Sequence, residues 1–184
     1  MRVRKLMTVV AVVMGVTTGG FVAAGSAGAA NSGTDVRAGT FQLMNITTNL
    51  CAGPSVKPET SRQVVQRRCT GLPATLWAAQ PVPASLNTLL VNQDNGLCMD
   101  LADGVGDDIP VVQAPCSPKL VSQQWQFVTR EVPGRVKIVN GKLGQCLEVE
   151  DGEAPVGAPV QVSACVFSAR HQIWQTGALA RDVK

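Results

Sequence analysis

The sequence predicts an all-β fold made of one unit written three times, and three observations carry that prediction. First, six cysteines and three tryptophans share a period of 47 to 49 residues. Cys51/Cys69, Cys98/Cys116 and Cys146/Cys165 are spaced by 18, 18 and 19 positions, and Trp77, Trp125 and Trp174 each follow by 8 or 9. Second, an apolar-apolar-Asn triplet places an asparagine six residues before each first cysteine, as Leu43-Met44-Asn45, Leu90-Val91-Asn92 and Ile138-Val139-Asn140. Self-similarity at such a period marks a unit that cannot bury its apolar face alone and packs against its copies. Third, no stretch shows sustained helical periodicity, whereas short β-rich runs alternate with turn-forming dipeptides.

Taken in order, the β-rich runs are Thr40 to Ile46, Val64 to Arg67, Thr88 to Asn92, Trp125 to Thr129, Arg135 to Val139 and Val160 to Val162. Asn95-Gly96, Asp103-Gly104, Asn140-Gly141 and Asp151-Gly152 favour tight turns because these pairs adopt positive φ easily. The expectation is about four short strands per repeat, with the three repeats closing on one core. The repeats are placed at residues 36–83, 84–131 and 132–179, after a short lead at 31–35 and before a tail at 180–184.

Residues 1–30 have the pattern of a secretory signal peptide. Arg2, Arg4 and Lys5 precede an apolar run from Leu6 to Val16, and Ala27-Gly28-Ala29 offers a small-residue cleavage site. That run is too short and too interrupted by Thr8 and Gly15 to span a bilayer, which takes about 20 apolar residues. The expected location is therefore extracellular, with no membrane span in the mature chain. Removing residues 1–30 takes Lys+Arg from 16 to 13 against 13 acidic residues, so the exported chain is formally neutral. Net charge thus gives no support for a nucleic-acid partner. Arg62, Arg67 and Arg68 form a local basic spot that reads as a solvated strand edge.

Export also decides the cysteines. In an oxidising compartment an even count at repeated spacing implies disulfides. Pairing within each repeat is the arrangement that keeps the three copies equivalent. Each bridge would close a loop of roughly 18 residues, worth on the order of 3 kcal/mol. A structural metal would need close cysteine pairs with histidine partners, and the chain has one histidine. No metal or cofactor is expected.

Superposed, the second repeat reads LVNQDNGLCMDLADG, VVQAPC and SQQWQF, and the third reads IVNGKLGQCLEVEDG, VQVSAC and HQIWQT. This pattern resembles the ricin-type lectin module, a β-trefoil with pseudo-threefold symmetry and a Gln-x-Trp signature in each repeat. The resemblance covers residues 36–179. The first copy has drifted, with Thr75-Leu76-Trp77 for Gln-x-Trp and Ala52-Gly53 after Cys51. In the family the tryptophans build the shared core, which agrees with the large apolar area that Trp supplies.

The resemblance also implies where sugar would bind. Each repeat would need an acid two positions after its first cysteine and an amide about four before the second. An aromatic two before the second cysteine and an Asn just before Gln-x-Trp complete the set. A sugar offers directional hydroxyls and one C–H face, so such a site pairs a few polar groups with a flat apolar surface. The first repeat has Gly53, Val65, Arg67 and Ala74 at these positions and is not a sugar site. The second keeps Asp100, has Val112 with Gln113 one step late, and carries Ala114 and Ser122. The third has Glu148, Gln161, Ser163 and His171. With no tyrosine in the chain, and Phe41 and Phe127 in strand-like runs, Phe167 is the candidate stacking ring.

The carbohydrate-site candidates are thus Asp100, Gln113, Ser122, Glu148, Gln161, Phe167 and His171. The chain lacks nucleophile motifs, metal-ligand clusters and phosphate loops, so a non-enzymatic module is expected. What the resemblance implies is a carbohydrate-binding protein for a polysaccharide or glycan, galactose-type sugars among them, with weak sites in the second and third repeats. The competing expectation is a trefoil scaffold that has lost sugar recognition and binds a secreted or cell-surface protein.

Overall fold

Each repeat contributes four strands, and the first and last of each repeat close a barrel. The computed structural model describes residues 39–57, 62–130, 132–150 and 155–177. The expected signal peptide, lead, tail and Asp151-Gly152 turn lie outside the described residues. The first repeat holds β1 (Thr40–Asn45), β2 (Cys51–Pro54), β3 (Val64–Arg67) and β4 (Trp77–Pro81). The second holds β5 (Thr88–Asn92), β6 (Cys98–Leu101), β7 (Ile109–Ala114) and β8 (Trp125–Thr129). The third holds β9 (Arg135–Asn140), β10 (Cys146–Val149), β11 (Val160–Ser163) and β12 (Trp174–Gly177).

The six strands β1, β4, β5, β8, β9 and β12 pair antiparallel in a closed ring, each with the next and β12 with β1. Closure leaves this barrel without an unpaired edge. The remaining strands form three hairpins, β2–β3, β6–β7 and β10–β11. These cap one end in a triangle through Gln63 opposite Val112, Gln161 opposite Pro110, and Val65 opposite Pro159. This is a β-trefoil.

The triplets and tryptophans occupy equivalent places in the core. Leu43, Leu90 and Ile138 are fully buried with Trp77, Trp125 and Trp174. Each indole Nε1 donates to the carbonyl following a first cysteine: Trp77 to Ala52 O at 2.9 Å, Trp125 to Met99 O at 3.1 Å, Trp174 to Leu147 O at 2.8 Å. The whole ring is thereby buried without an orphaned donor. Phe41 and Phe127 meet edge-on with centroids 5.9 Å apart, so both belong to the packed interior.

The three asparagines serve as latches between repeats. Asn45, Asn92 and Asn140 are fully buried. Their Nδ2 groups donate to His171 O, Ala74 O and Ser122 O at 2.7, 3.2 and 2.9 Å. Their Oδ1 atoms accept from the amides of Thr47, Asp94 and Lys142. Each side chain therefore holds its own turn and grips the preceding repeat, and Asn45 closes the ring by gripping the third.

The disulfides Cys51–Cys69, Cys98–Cys116 and Cys146–Cys165 pair within repeats. One turn differs from expectation. After Asn140 the left-handed residue is Gly144 (φ 68°), not Gly141, because Gly144 N donates to Asn140 O and Gly141 N is engaged by Gln124 O. Asn49 (φ 56°) and Gly96 (φ 70°) occupy the same fourth position in the other repeats.

Candidate functional site

The hairpin registers bring the expected acid and amide positions face to face in every repeat. Gly53 lies opposite Val65, Asp100 opposite Val112, and Glu148 opposite Gln161. The expected aromatic positions, Arg67, Ala114 and Ser163, lie opposite the first cysteines. Since neighbouring strand residues point to opposite faces, the hairpin displays acid and amide on one surface. Gln113 pairs with Met99 instead, which turns it away from Asp100. Its Oε1 accepts from Asn95 Nδ2 at 3.0 Å, and its Nε2 is buried without a hydrogen-bond partner.

In the third repeat the polar groups form one connected network. Glu148 is 6 % exposed. Its Oε2 accepts from Gln172 Nε2 at 2.8 Å and lies 3.4 Å from His171 Nε2, while its Oε1 accepts from Gln161 Nε2 at 3.2 Å. Gln172 is the Gln of the third Gln-x-Trp. Its Oε1 accepts from Val166 N at 2.9 Å and from Lys137 Nζ at 2.7 Å, so the signature glutamine orients the acid and the loop after Cys165 together. Lys137 also donates to Val166 O. Burial pushes the Lys137 amine below its ordinary value, Arg130 adds to that, and Glu148 opposes it.

A loop of the second repeat enters this network. Gln161 Nε2 also donates to Asp108 Oδ1 at 3.0 Å, and Ser163 Oγ donates to the same oxygen at 2.6 Å. Asp107 Oδ1 accepts from Ala164 N at 2.8 Å and from Gln145 Nε2 at 2.9 Å. The DGVGDD segment is therefore a staple onto the neighbouring hairpin, which explains why Asp108 tolerates a left-handed φ of 59°.

The second repeat has a simpler arrangement. Asp100 is 8 % exposed. Its Oδ2 accepts from Gln123 Nε2 at 2.9 Å and its Oδ1 from Leu101 N at 2.8 Å. Gln123 also accepts from Ser117 N and donates to Pro115 O. Ser122 lies beside Gln123 and contributes its carbonyl to Asn140. Both intact Gln-x-Trp glutamines therefore clamp the acid of their own repeat. In the first repeat Thr75 stands in that place, donates to Leu72 O and accepts from Gln42 Nε2.

Phe167 is 74 % exposed in the loop after Cys165. The Arg130 guanidinium lies 4.2 Å from its ring centroid, and Arg130 Nη2 donates to Phe167 O at 3.2 Å. One ring face is thus covered by a cation. In the first repeat Arg62 and Arg68 are exposed, as expected of a solvated strand edge, while Arg67 is half-buried at the end of β3 with its Nη1 donating to Pro54 O at 2.9 Å. Sequence reasoning also left out Gln123, Gln172, Lys137 and Asp108. The two glutamines were visible in Gln-x-Trp, but their grip on the acids is not readable from spacing.

A sequence profile described as the ricin-type beta-trefoil lectin domain-like family matches residues 18–114 and 121–183. The chain belongs to this ricin-type β-trefoil lectin family. No curated protein matches its sequence significantly. Among solved structures, the designed threefold-symmetric protein ThreeFoil is 21 % identical with a TM-score of 0.69, over 76 % of this chain and 99 % of that one. The ricin B-like lectin of Macrolepiota procera, solved in complex with lactose, is 16 % identical with a TM-score of 0.66, over 78 % of this chain and 98 % of the lectin. An exo-beta-1,3-galactanase from Clostridium thermocellum gives 21 % identity and a TM-score of 0.66, with 77 % of this chain covering 30 % of the enzyme. These likenesses establish the fold of this ricin-type chain.

Proposed function

We propose that the protein is a secreted, non-enzymatic carbohydrate-binding module whose second and third repeats hold sugar weakly. The observation that carries this reading is the clamped carboxylate: Asp100 by Gln123, and Glu148 by Gln172 and Gln161. A carboxylate fixed on one face of a hairpin by such a clamp is a preorganised acceptor for vicinal hydroxyls, so little ordering entropy is lost when sugar arrives. His171, about one-third exposed beside Glu148, adds a polar contact at the rim.

The expected weakness also has a structural reason. Ala114 and Ser163 stand where a flat ring would stack, and Asp108 already engages the Gln161 amide. Hydrogen bonds that merely exchange with water supply about 1 kcal/mol each. The lactose complex of the Macrolepiota procera lectin supports a sugar of galactose type as the first to try. A second reading, a scaffold for a secreted or cell-surface protein, rests on the exposed Phe167 held by Arg130.

The test is retention of the oxidised protein on a glycan array and on insoluble polysaccharides. Selective retention competed away by free sugar supports the lectin reading. A clean negative from folded protein contradicts it and favours the scaffold.

A further inference from the structure

The hydrogen-bond donors around Glu148 are spent inside the protein. Gln172 Nε2 gives its two hydrogens to Glu148 Oε2 and Ala164 O, both at 2.8 Å. Gln161 Nε2 gives its two to Glu148 Oε1 at 3.2 Å and Asp108 Oδ1 at 3.0 Å. The Ser163 hydroxyl donates to Asp108 Oδ1 at 2.6 Å. A side-chain amide has two hydrogens to give and a hydroxyl one, so none of these groups has a donor left for a ligand. What they leave to the outside is acceptor capacity, because a carboxylate oxygen takes more than one hydrogen bond.

Two carboxylates meet here because they hang on one amide nitrogen, Glu148 from the third repeat and Asp108 from the second. Asp108 is exposed and doubly fixed, since its backbone N–H also donates to Ser163 Oγ at 3.2 Å. Ser163 stands at the expected stacking position, so the residue that replaces the ring holds a carboxylate instead. The inserted charge is particular to this junction. Asp108-Ile109-Pro110 corresponds to Gly157-Ala158-Pro159, with Pro110 opposite Gln161 and Pro159 opposite Val65. Asp108 and Gly157 are both left-handed, with φ of 59° and 94°, a backbone that glycine adopts more readily than aspartate. Of the nearby cations, Lys137 is bonded to Val166 O and Gln172, and Arg130 covers Phe167. His171 Nε2 lies 3.4 Å from Glu148 Oε2 at the rim.

We propose that the third-repeat site selects an amino sugar, a hexose with a free protonated amine, whose ammonium meets Glu148 and Asp108 together; this rests on the carbohydrate-binding reading above. An ammonium brings three donors and needs no donor in return, which suits a site whose own amides and hydroxyl are used up. The neutral sugar's oxygens find no donor in Gln161, Gln172 or Ser163. The second repeat is the internal comparison: among the described residues, the Gln123 amide that clamps Asp100 holds no second carboxylate.

Galactosamine, galactose and 2-aminoethanol titrated separately into the disulfide-bonded full chain, followed by backbone and side-chain amide NMR, test the proposal. Expected are saturable shifts at Gln161, Ser163 and Gln172, with galactosamine about fivefold tighter there than galactose or 2-aminoethanol. No such preference is expected at Gln123. Asp108→Asn keeps an acceptor for Gln161 and Ser163 and suits the left-handed backbone, so it removes the charge and should erase the preference. Asp108→Gly, which copies Gly157, releases a Gln161 donor and should strengthen galactose relative to galactosamine. Equal affinity of the two sugars at the third repeat, or a preference that survives in both variants, would overturn the inference and leave sugar binding intact. Binding of 2-aminoethanol as tight as that of galactosamine would overturn it too, because the amine would then be held without the sugar. No shift from either sugar would overturn the carbohydrate-binding reading itself, and this inference with it.

Discussion

At the scale of single residues, the glutamine of Gln-x-Trp links the core to the surface. Gln172 touches Glu148, Lys137, Val166 N and Ala164 O, so its amide joins the acid to the loop after Cys165. Gln172→Leu strands several buried polar groups and should cost about 3 kcal/mol, read as a lowered denaturant midpoint. Lys137 gives a pH prediction. Its amine is held below the ordinary lysine value of 10.5, so the unfolded chain binds more protons in the window just below that value. Stability therefore rises as pH climbs through this window, and the penalty is full at neutral pH. The melting temperature of the parent relative to Lys137→Met should move in the parent's favour between pH 7 and pH 10. A difference that stays flat would mean that the amine is not desolvated. None of this was legible in sequence, because Lys137 and Gln172 lie 35 positions apart and meet only once the barrel closes.

At the scale of elements, legibility followed alternation and length. β1 and β9 show alternating or long apolar runs and were expected, whereas β2, β6 and β10 are four-residue strands buried at every position and carry no period to read. β7 alternates cleanly, but Pro110 at its second position argues against a strand in sequence. It is tolerated at the start of a strand. The asparagine of each triplet was visible, while its grip on the preceding repeat was not. Asn92→Ala removes a donor to Ala74 O and the acceptor for Asp94 N. It should lower stability by about 2 kcal/mol with an unchanged denaturant slope. A loss of only a few tenths would mean that the latch is replaced by water.

At the scale of the whole molecule, closure is what makes three weak units into one fold. Each disulfide holds its hairpin cap through a loop closure worth about 3 kcal/mol. Domains of this size have a net stability of about 5–15 kcal/mol, so full reduction should lower the melting temperature by tens of degrees or unfold the chain. The trefoil was legible from three scarce residue types in phase. The character of each inter-repeat junction was not, since it depends on which side chain a neighbouring repeat inserts: Asp108 in one place, Val156 in another. Clamped carboxylates stand in the second and third repeats, whereas Gly53 and Val65 occupy the matching positions of the first. The most direct test of the central claim, that the two clamped carboxylates are the sugar-binding groups, is polysaccharide retention of the parent against Asp100→Ala with Glu148→Ala. The account predicts that the folded double variant loses retention. Unchanged retention by a folded double variant would contradict it.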